Sequence, residues 1–203
     1  MDKDSLPKEL ITPRTVVRRM AADDVAQFDA WPGYPWPFEC FDINAKARAG
    51  KESPWWTMGD APDRCHYSVV LPATGEVIGL HAFLGIDYEK RVIGNMGIRI
   101  RPDVCDRGYG RETLQPLLEA VLASGMRSIR LDVAATNAHA IRCYERCGMR
   151  IVDEFWMDGE GPDDPDDPKW APLMPHLRRD GDEWFVRFHW MEISTDEAGH
   201  ADD

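Results

Sequence analysis

The sequence predicts an α/β domain, a mixed and mostly antiparallel sheet of about seven strands with helices on both faces, and three observations carry that expectation. Alternating residues mark His66–Leu71, Glu76–Leu84 and Arg91–Arg101 as strands, the first two joined by the short connection Pro72-Ala73-Thr74-Gly75. Leu114, Leu117, Leu118, Val121 and Leu122 then recur at helical spacing directly after that series. A further pair of strand-like segments, Arg150–Met157 and Glu183–Ile193, closes the chain. With 203 residues, 43% of them apolar, the chain can bury one sizeable core. The expected organisation is a flexible arm at 1–13, a single domain at 14–193 and a disordered tail at 194–203, with no internal repeat.

In chain order, residues 1–13 are polar and punctuated by Pro7 and Pro13, which predicts little regular structure. Thr15–Arg18 reads as a short strand, and a helical stretch from Ala22 to Ala30 has Asp23 as its expected cap. Trp31-Pro32-Gly33-Tyr34-Pro35-Trp36-Pro37-Phe38 follows. Its prolines and glycine forbid a regular element, while its four rings either pack as a lid or wall a pocket that suits a cation. Phe41, Trp55 and Trp56 extend that character around a short helical segment at Ile43–Ala49. Farther on, Pro116 predicts a bend in its helix, because the ring clashes with the carbonyl four residues back. Ile129–Val133 alternates as another strand. The segment Asp158–Asp182 contains Gly161-Pro162-Asp163-Asp164-Pro165-Asp166-Asp167-Pro168, which predicts an extended, solvated acidic insert. It reads either as a linker or as a flap that draws a cationic acceptor.

Composition narrows the function classes. With 24 Lys and Arg against 36 Asp and Glu, the net charge is −12, which argues against nucleic acid as a partner because phosphate contacts need clustered basic residues. The five cysteines show no paired or zinc-ligand spacing, so they read as free thiols in a reducing compartment, with no metal site. No run approaches the length of a membrane span and no apolar leader precedes the first strand, so the expectation is a soluble, cytoplasmic protein without a membrane partner. Sheet edges and exposed tryptophans leave a homodimer open.

Between the strand at Met96–Arg101 and the helix lies Val104-Cys105-Asp106-Arg107-Gly108-Tyr109-Gly110-Arg111-Glu112. Two glycines remove side chains that would keep a ligand from the backbone, and a helix start leaves four N–H groups without internal partners. Aligned with the positive end of the helix dipole, those donors suit a phosphate or pyrophosphate. Arg107 and Arg111 flank the turn and add charge. This is neither the dinucleotide fingerprint, whose third glycine would fall at Thr113, nor a Walker A loop.

Downstream, Asn137-Ala138-His139-Ala140-Ile141-Arg142-Cys143-Tyr144-Glu145-Arg146-Cys147-Gly148-Met149 follows the alternating strand. Together the two segments resemble the GNAT superfamily of N-acetyltransferases, and within it the branch containing ribosomal-protein N-terminal acetyltransferases and polyamine or aminoglycoside acetylators. Gly108 and Gly110 match the Q/R-x-x-G-x-G/A turn, with Cys105 where the family has Gln or Arg, which implies weakened coenzyme affinity. Asn137, Ala140, Tyr144, Gly148 and Met149 match the second motif. The resemblance implies acetyl-CoA as cosubstrate, held by Arg107, Gly108, Tyr109, Gly110, Arg111, Asn137, Ala140 and Tyr144, with its pantetheine arm along Ile98, Arg99 and Ile100. It also implies an opening between the strands at Met96–Arg101 and Ile129–Val133.

Acetyl transfer to an amine needs a neutral nucleophile, a polarised carbonyl and a proton for the departing thiolate. The resemblance gives the last task to Tyr144, whose phenol is protonated at neutral pH. It places an acceptor pocket beside the aromatic stretch, so that Trp31, Tyr34, Trp36 and Asn95 become candidate acceptor-binding residues, and the acceptor expected there is a cationic amine. Asn95 stands where many family members carry a glutamate, and an amide is no base. His81 is the candidate replacement, with Asp87 and Glu154 as further choices. The competing expectation is an acyl-CoA-binding sensor or interaction module on the same fold, without turnover.

Overall fold

The computed structural model describes residues 1–39 and 61–195. They form two compact units, Met1–Ile129 joined by Ser194 and Thr195, and Arg130–Ile193. Phe41, Trp55, Trp56, the helical segment expected at Ile43–Ala49 and the tail from 196 lie outside the described residues.

In the first unit, β1 (Glu9–Ile11), β2 (Val16–Arg19), β3 (Cys65–Val70), β4 (Val77–Asp87) and β5 (Val92–Ile100) are neighbours in that order and antiparallel throughout. Short connections enforce this order. Between β3 and β4, Gly75 adopts φ +75° and its N–H bonds the Leu71 carbonyl at 2.8 Å, a conformation that a residue with a side chain resists. The segment read as an arm is built into the sheet. Leu6 is buried, Tyr67 donates to the Pro7 carbonyl at 2.7 Å, and Arg19 donates to the carbonyls of Lys3, Leu6 and Pro7.

Helix α1 (Asp24–Asp29) does not use Asp23 as its cap; that side chain makes no capping bond. The next residue, Asp24, is buried instead and accepts from the Ala21 N–H, Ser68 and both terminal nitrogens of Arg18. Burial alone would raise its carboxyl, but the bonds from Arg18, Ser68 and Ala21 more than offset that and hold it below the usual range. Phe28 of α1 joins Trp31, Val70, Val77 and Leu80 in one apolar cluster. Leu80 thus faces α1, and its neighbour His81 bonds Thr113 of α2 (Tyr109–Ala123), so α1 and α2 cover opposite faces of the sheet. Leu114, Leu117, Leu118 and Val121 of α2 are fully buried, as their spacing predicts, and the helix is continuous through Pro116.

Strand β6 (Ser128–Ala134) starts parallel to β5, pairing Val92 with Ser128 and Ile93 with Ile129. From Arg130 it belongs to the second unit, with α3 (Ala138–Arg146), β7 (Arg150–Gly159), β8 (Leu177–Asp180) and β9 (Glu183–Ser194). There β9 is the central strand, next to β6 and antiparallel to both β7 and β8. Among the described residues there are nine strands in place of the expected seven or so. The additions are β1 and β8, three and four residues long, in proline-punctuated stretches where alternation is too brief to read.

Candidate functional site

The turn before α2 is built for bare amides. Asp106 and Gly108 both take left-handed backbone angles, φ +62° and +83°. Glycine does so freely, and aspartate is among the few other residues that tolerate this region. Gly108 occupies the cap position and has no side chain to fold back, so no capping bond forms. The first helical bond runs from the Glu112 N–H to the Gly108 carbonyl at 3.1 Å. The amides of Tyr109, Gly110 and Arg111 precede it and bond no acceptor among the described residues. Arg107 donates to the Asp103 carbonyl at 3.0 Å, and Arg111 meets Gln115 at 3.3 Å; both are exposed at the turn. This is the donor geometry expected of a pyrophosphate cradle.

The strand that leads into the turn has an open edge. The Arg101 N–H bonds the Ile78 carbonyl of β4 at 2.8 Å. Since main-chain groups alternate sides along a strand, Arg99 and Gly97 also face β4, while Ile100, Ile98 and Met96 face away from it. On that other side, among the described residues, β5 is paired only at Val92 and Ile93. Ile98 therefore presents an N–H and a carbonyl at an edge where no strand takes them among the described residues, and an extended amide chain could. Of the three residues expected to meet pantetheine, Arg99 spends its main chain on β4. Ile100 already accepts from the Tyr34 hydroxyl at 2.7 Å and the Cys105 thiol at 3.4 Å. Cys105, which stands where the turn motif has Gln or Arg, thus points back at the strand end, and burial pushes its thiol up.

His81, the candidate base, lies in the core. It is fully buried, its Nε2 lies 2.9 Å from Thr113 Oγ1, and burial pushes its pKa down to about 3. Thr113 spends its hydroxyl proton on the Tyr109 carbonyl at 2.8 Å, so the His81 bond must come from Nε2–H and the ring is neutral. The effect is to pin the first turn of α2 from the core side. Asp87 is likewise local: it accepts the Glu89 and Lys90 N–H groups in the turn after β4. Glu154, on β7, lies 3.9 Å from Arg187 and 3.8 Å from His189.

The aromatic stretch divides. Trp31 is a core residue, its Nε1 donating to the Val77 carbonyl at 3.2 Å and its ring set edge-on to Phe28, so it does not wall a pocket. Tyr34 reaches the end of β5, as described, and burial raises its pKa. Trp36 is exposed. Asn95 is half-buried on β5, opposite Leu84.

In the second unit the motif on α3 resolves into capping. Asn137 Oδ1 accepts the Ala140 N–H at 3.1 Å and closes the helix start. At the other end Gly148 takes φ +89°, its N–H bonds the Glu145 carbonyl, and the Met149 N–H bonds the Tyr144 carbonyl. Four of the five motif residues are accounted for by holding one nine-residue helix. Asn137 and Ala140, expected at the coenzyme, meet each other. Tyr144 takes part in the C-terminal closure through its carbonyl, which accepts from the Cys147 and Met149 N–H groups, while its side chain is buried. The same unit carries an acidic pocket lined by Asp158, Glu160, Asp163, Asp182 and Glu183 with Trp184.

Sequence reasoning missed Thr12, Arg14 and Glu112, which meet beside the turn. Ninety-eight residues separate Arg14 from Glu112, and nothing periodic links them.

Antiparallel strands that lead from β5 into an uncapped helix start make this an α/β protein with a bare-amide turn. The profile of the Acetyltransferase (GNAT) family matches residues 26–149, and the chain belongs to that family. Among solved structures, a chimera of spermidine N-acetyltransferase from Vibrio cholerae with a segment of its human counterpart has a TM-score of 0.62 at 15% identity, covering 91% of this chain and 97% of that one. A GNAT-family acetyltransferase from Bacillus anthracis has a TM-score of 0.62 at 15% identity, with 93% and 99% covered. A further putative acetyltransferase reaches 0.64 at 13% identity, with 95% and 89% covered. No curated protein sequence matches the chain.

Proposed function

We propose that this chain moves the acetyl group of acetyl-CoA to a primary amine on a small molecule or a protein N-terminus. The observation that carries the reading is the row of amides at Tyr109, Gly110 and Arg111, behind left-handed Gly108, that bond no acceptor among the described residues. That row holds the coenzyme's diphosphate; the open edge at Ile98 takes the amide-bearing arm and offers its N–H to the oxygen of the reacting carbonyl. The amine nitrogen bonds the carbonyl carbon and the carbon–sulfur bond breaks. Tyr144 gives its proton to the leaving sulfur, and the proton that the attacking nitrogen releases as the amide forms passes through water to restore the phenol. The amine arrives neutral, having lost its proton to solvent, so no protein base is required. An acceptor that is cationic elsewhere in its structure is supported by the net charge of −12, by the acidic pocket around Trp184, and by the spermidine acetyltransferases that share the fold.

Calorimetry with CoA, ATP and NAD, followed by thiol release from acetyl-CoA with a panel of amines, tests this. The expected result is binding of CoA alone, turnover on at least one amine, and a Tyr144→Phe variant that keeps coenzyme affinity while kcat falls by about 10²-fold. CoA binding without turnover on any amine, and no effect of Tyr144→Phe, would identify a coenzyme sensor instead. Failure to bind CoA would remove the reading altogether.

A further inference from the structure

Arg14 and Glu112 make contacts that the proposed reaction does not use. Arg14 Nε donates to Glu112 Oε2 at 2.6 Å, and the Arg14 backbone N–H donates to Oε1 at 2.9 Å. Thr12 Oγ1 lies 3.0 Å from the same carboxylate. On its other side, Arg14 Nη2 donates to the Arg107 carbonyl at 3.0 Å, and the guanidinium lies 4.1 Å from the centre of the Tyr109 ring. Arg107 sits between the two left-handed residues, and Tyr109 is the first residue whose amide is bare. One side chain therefore grips the turn before and after Gly108 and holds a carboxylate from the helix that the turn begins.

That carboxylate poses an electrostatic problem for an anion site. Glu112 is in the first turn of α2, and its side chain is only 14% exposed, so solvent screens it poorly. Unpaired, it would oppose the diphosphate and compete for the same bare amides. Two bonds from Arg14 occupy it, and Thr12 Oγ1, which shares its proton between the Thr15 carbonyl and Glu112, lies within reach of a third.

We propose that Arg14 is a positioning residue for the anion cradle: it fixes the left-handed turn through the Arg107 carbonyl and neutralises Glu112, which makes the β1–β2 connection part of the coenzyme site. This rests on the reading that the turn takes the coenzyme's diphosphate. It applies to the shape and charge of the site and assigns Arg14 no contact with reacting atoms.

Calorimetry with CoA on the full chain provides the test, with thermal melting recorded for every protein. Arg14→Ala weakens CoA binding by about 10–100-fold, the range set by losing hydrogen bonds to a charged group. Glu112→Gln alone supplies the reference against which the double variant is read. Adding Glu112→Gln to Arg14→Ala recovers about tenfold, because the uncompensated charge is gone. A purely structural role for Arg14 gives no such recovery. Arg14→Lys, which keeps the charge but cannot make both side-chain bonds, binds CoA about 3–10-fold more weakly than wild type and serves as the test if Arg14→Ala does not fold. Wild-type affinity in Arg14→Ala or Arg14→Lys overturns the proposal, as does a double variant no tighter than Arg14→Ala. If the wild-type protein itself does not bind CoA, the functional reading fails first and the two failures are told apart.

Discussion

The starts of α2 and α3 solve one geometric problem in opposite ways. Each helix leaves its first amides without internal partners. At α3 the side chain of Asn137 closes that gap by accepting the Ala140 N–H, and the other end is closed by Gly148 and Met149. At α2 the cap position is Gly108, which has no side chain, and the amides of Tyr109 to Arg111 stay bare. The support that α2 lacks at its cap comes from elsewhere: His81 and Thr113 hold its first turn from the core, and Arg14 holds it from the surface. A helix start closed by its own sequence is a structural element. One left open while neighbours brace it keeps its amides available, which is what the proposed diphosphate site requires.

Substitutions at the two caps should break this contrast cleanly. Gly108→Asp puts a carboxylate beside the bare amides in a residue that tolerates the left-handed region. CoA affinity should fall by about 100-fold or more in calorimetry while the melting temperature changes by only a few degrees. An equally tight Gly108→Asp protein would mean the amides are not the anion site.

A second, smaller effect follows from the brace under α2. The His81 ring titrates near 6.5 when the chain is unfolded but only near 3 when folded. Between those values the unfolded chain binds the extra proton, so stability is fully present above pH 6.5 and declines as pH falls toward 3. The loss attributable to His81 should be about 2 kcal/mol by pH 5 in denaturant titrations. His81→Gln keeps a donor for Thr113 and should flatten that slope. His66, held near 4 by burial, leaves part of the slope in the same window. An unchanged pH profile in His81→Gln would show that this ring is not buried neutral.

Asn137→Ala should have the smallest effect, with the opposite signature to Gly108→Asp. Loss of the cap bond should destabilise the protein by about 1 kcal/mol while CoA affinity stays within about twofold. A large loss of affinity with unchanged stability would return Asn137 to the coenzyme, where the sequence motif suggested it belonged.

The residues of each motif were legible in the sequence, but several of their tasks were not. Gly108 and Gly110 announce a tight turn before a helix whatever surrounds them, because the backbone angles they permit are a property of glycine itself. The apolar period of α2 and the alternation of β3 to β6 are also local, and those elements appear within a few residues of their expected bounds. His81 and Trp31 show the reverse. Histidine in an alternating strand and tryptophan beside prolines look equally suited to catalysis, binding or packing, and only tertiary packing, under α2 for His81 and against Phe28 for Trp31, made both of them core.

By itself the sequence determined the local geometry: where strands alternate, where the helix begins, and that its first amides would have no side-chain cap. Those features depend on neighbours three or four positions away, which the chain order supplies. Tertiary structure alone decided that Arg14 would meet Glu112, that His81 would sit beneath Thr113, and that Ile98 would lie on an open edge. Such contacts join residues tens of positions apart, and their energies depend on burial and direction, neither of which is written in the order of the residues.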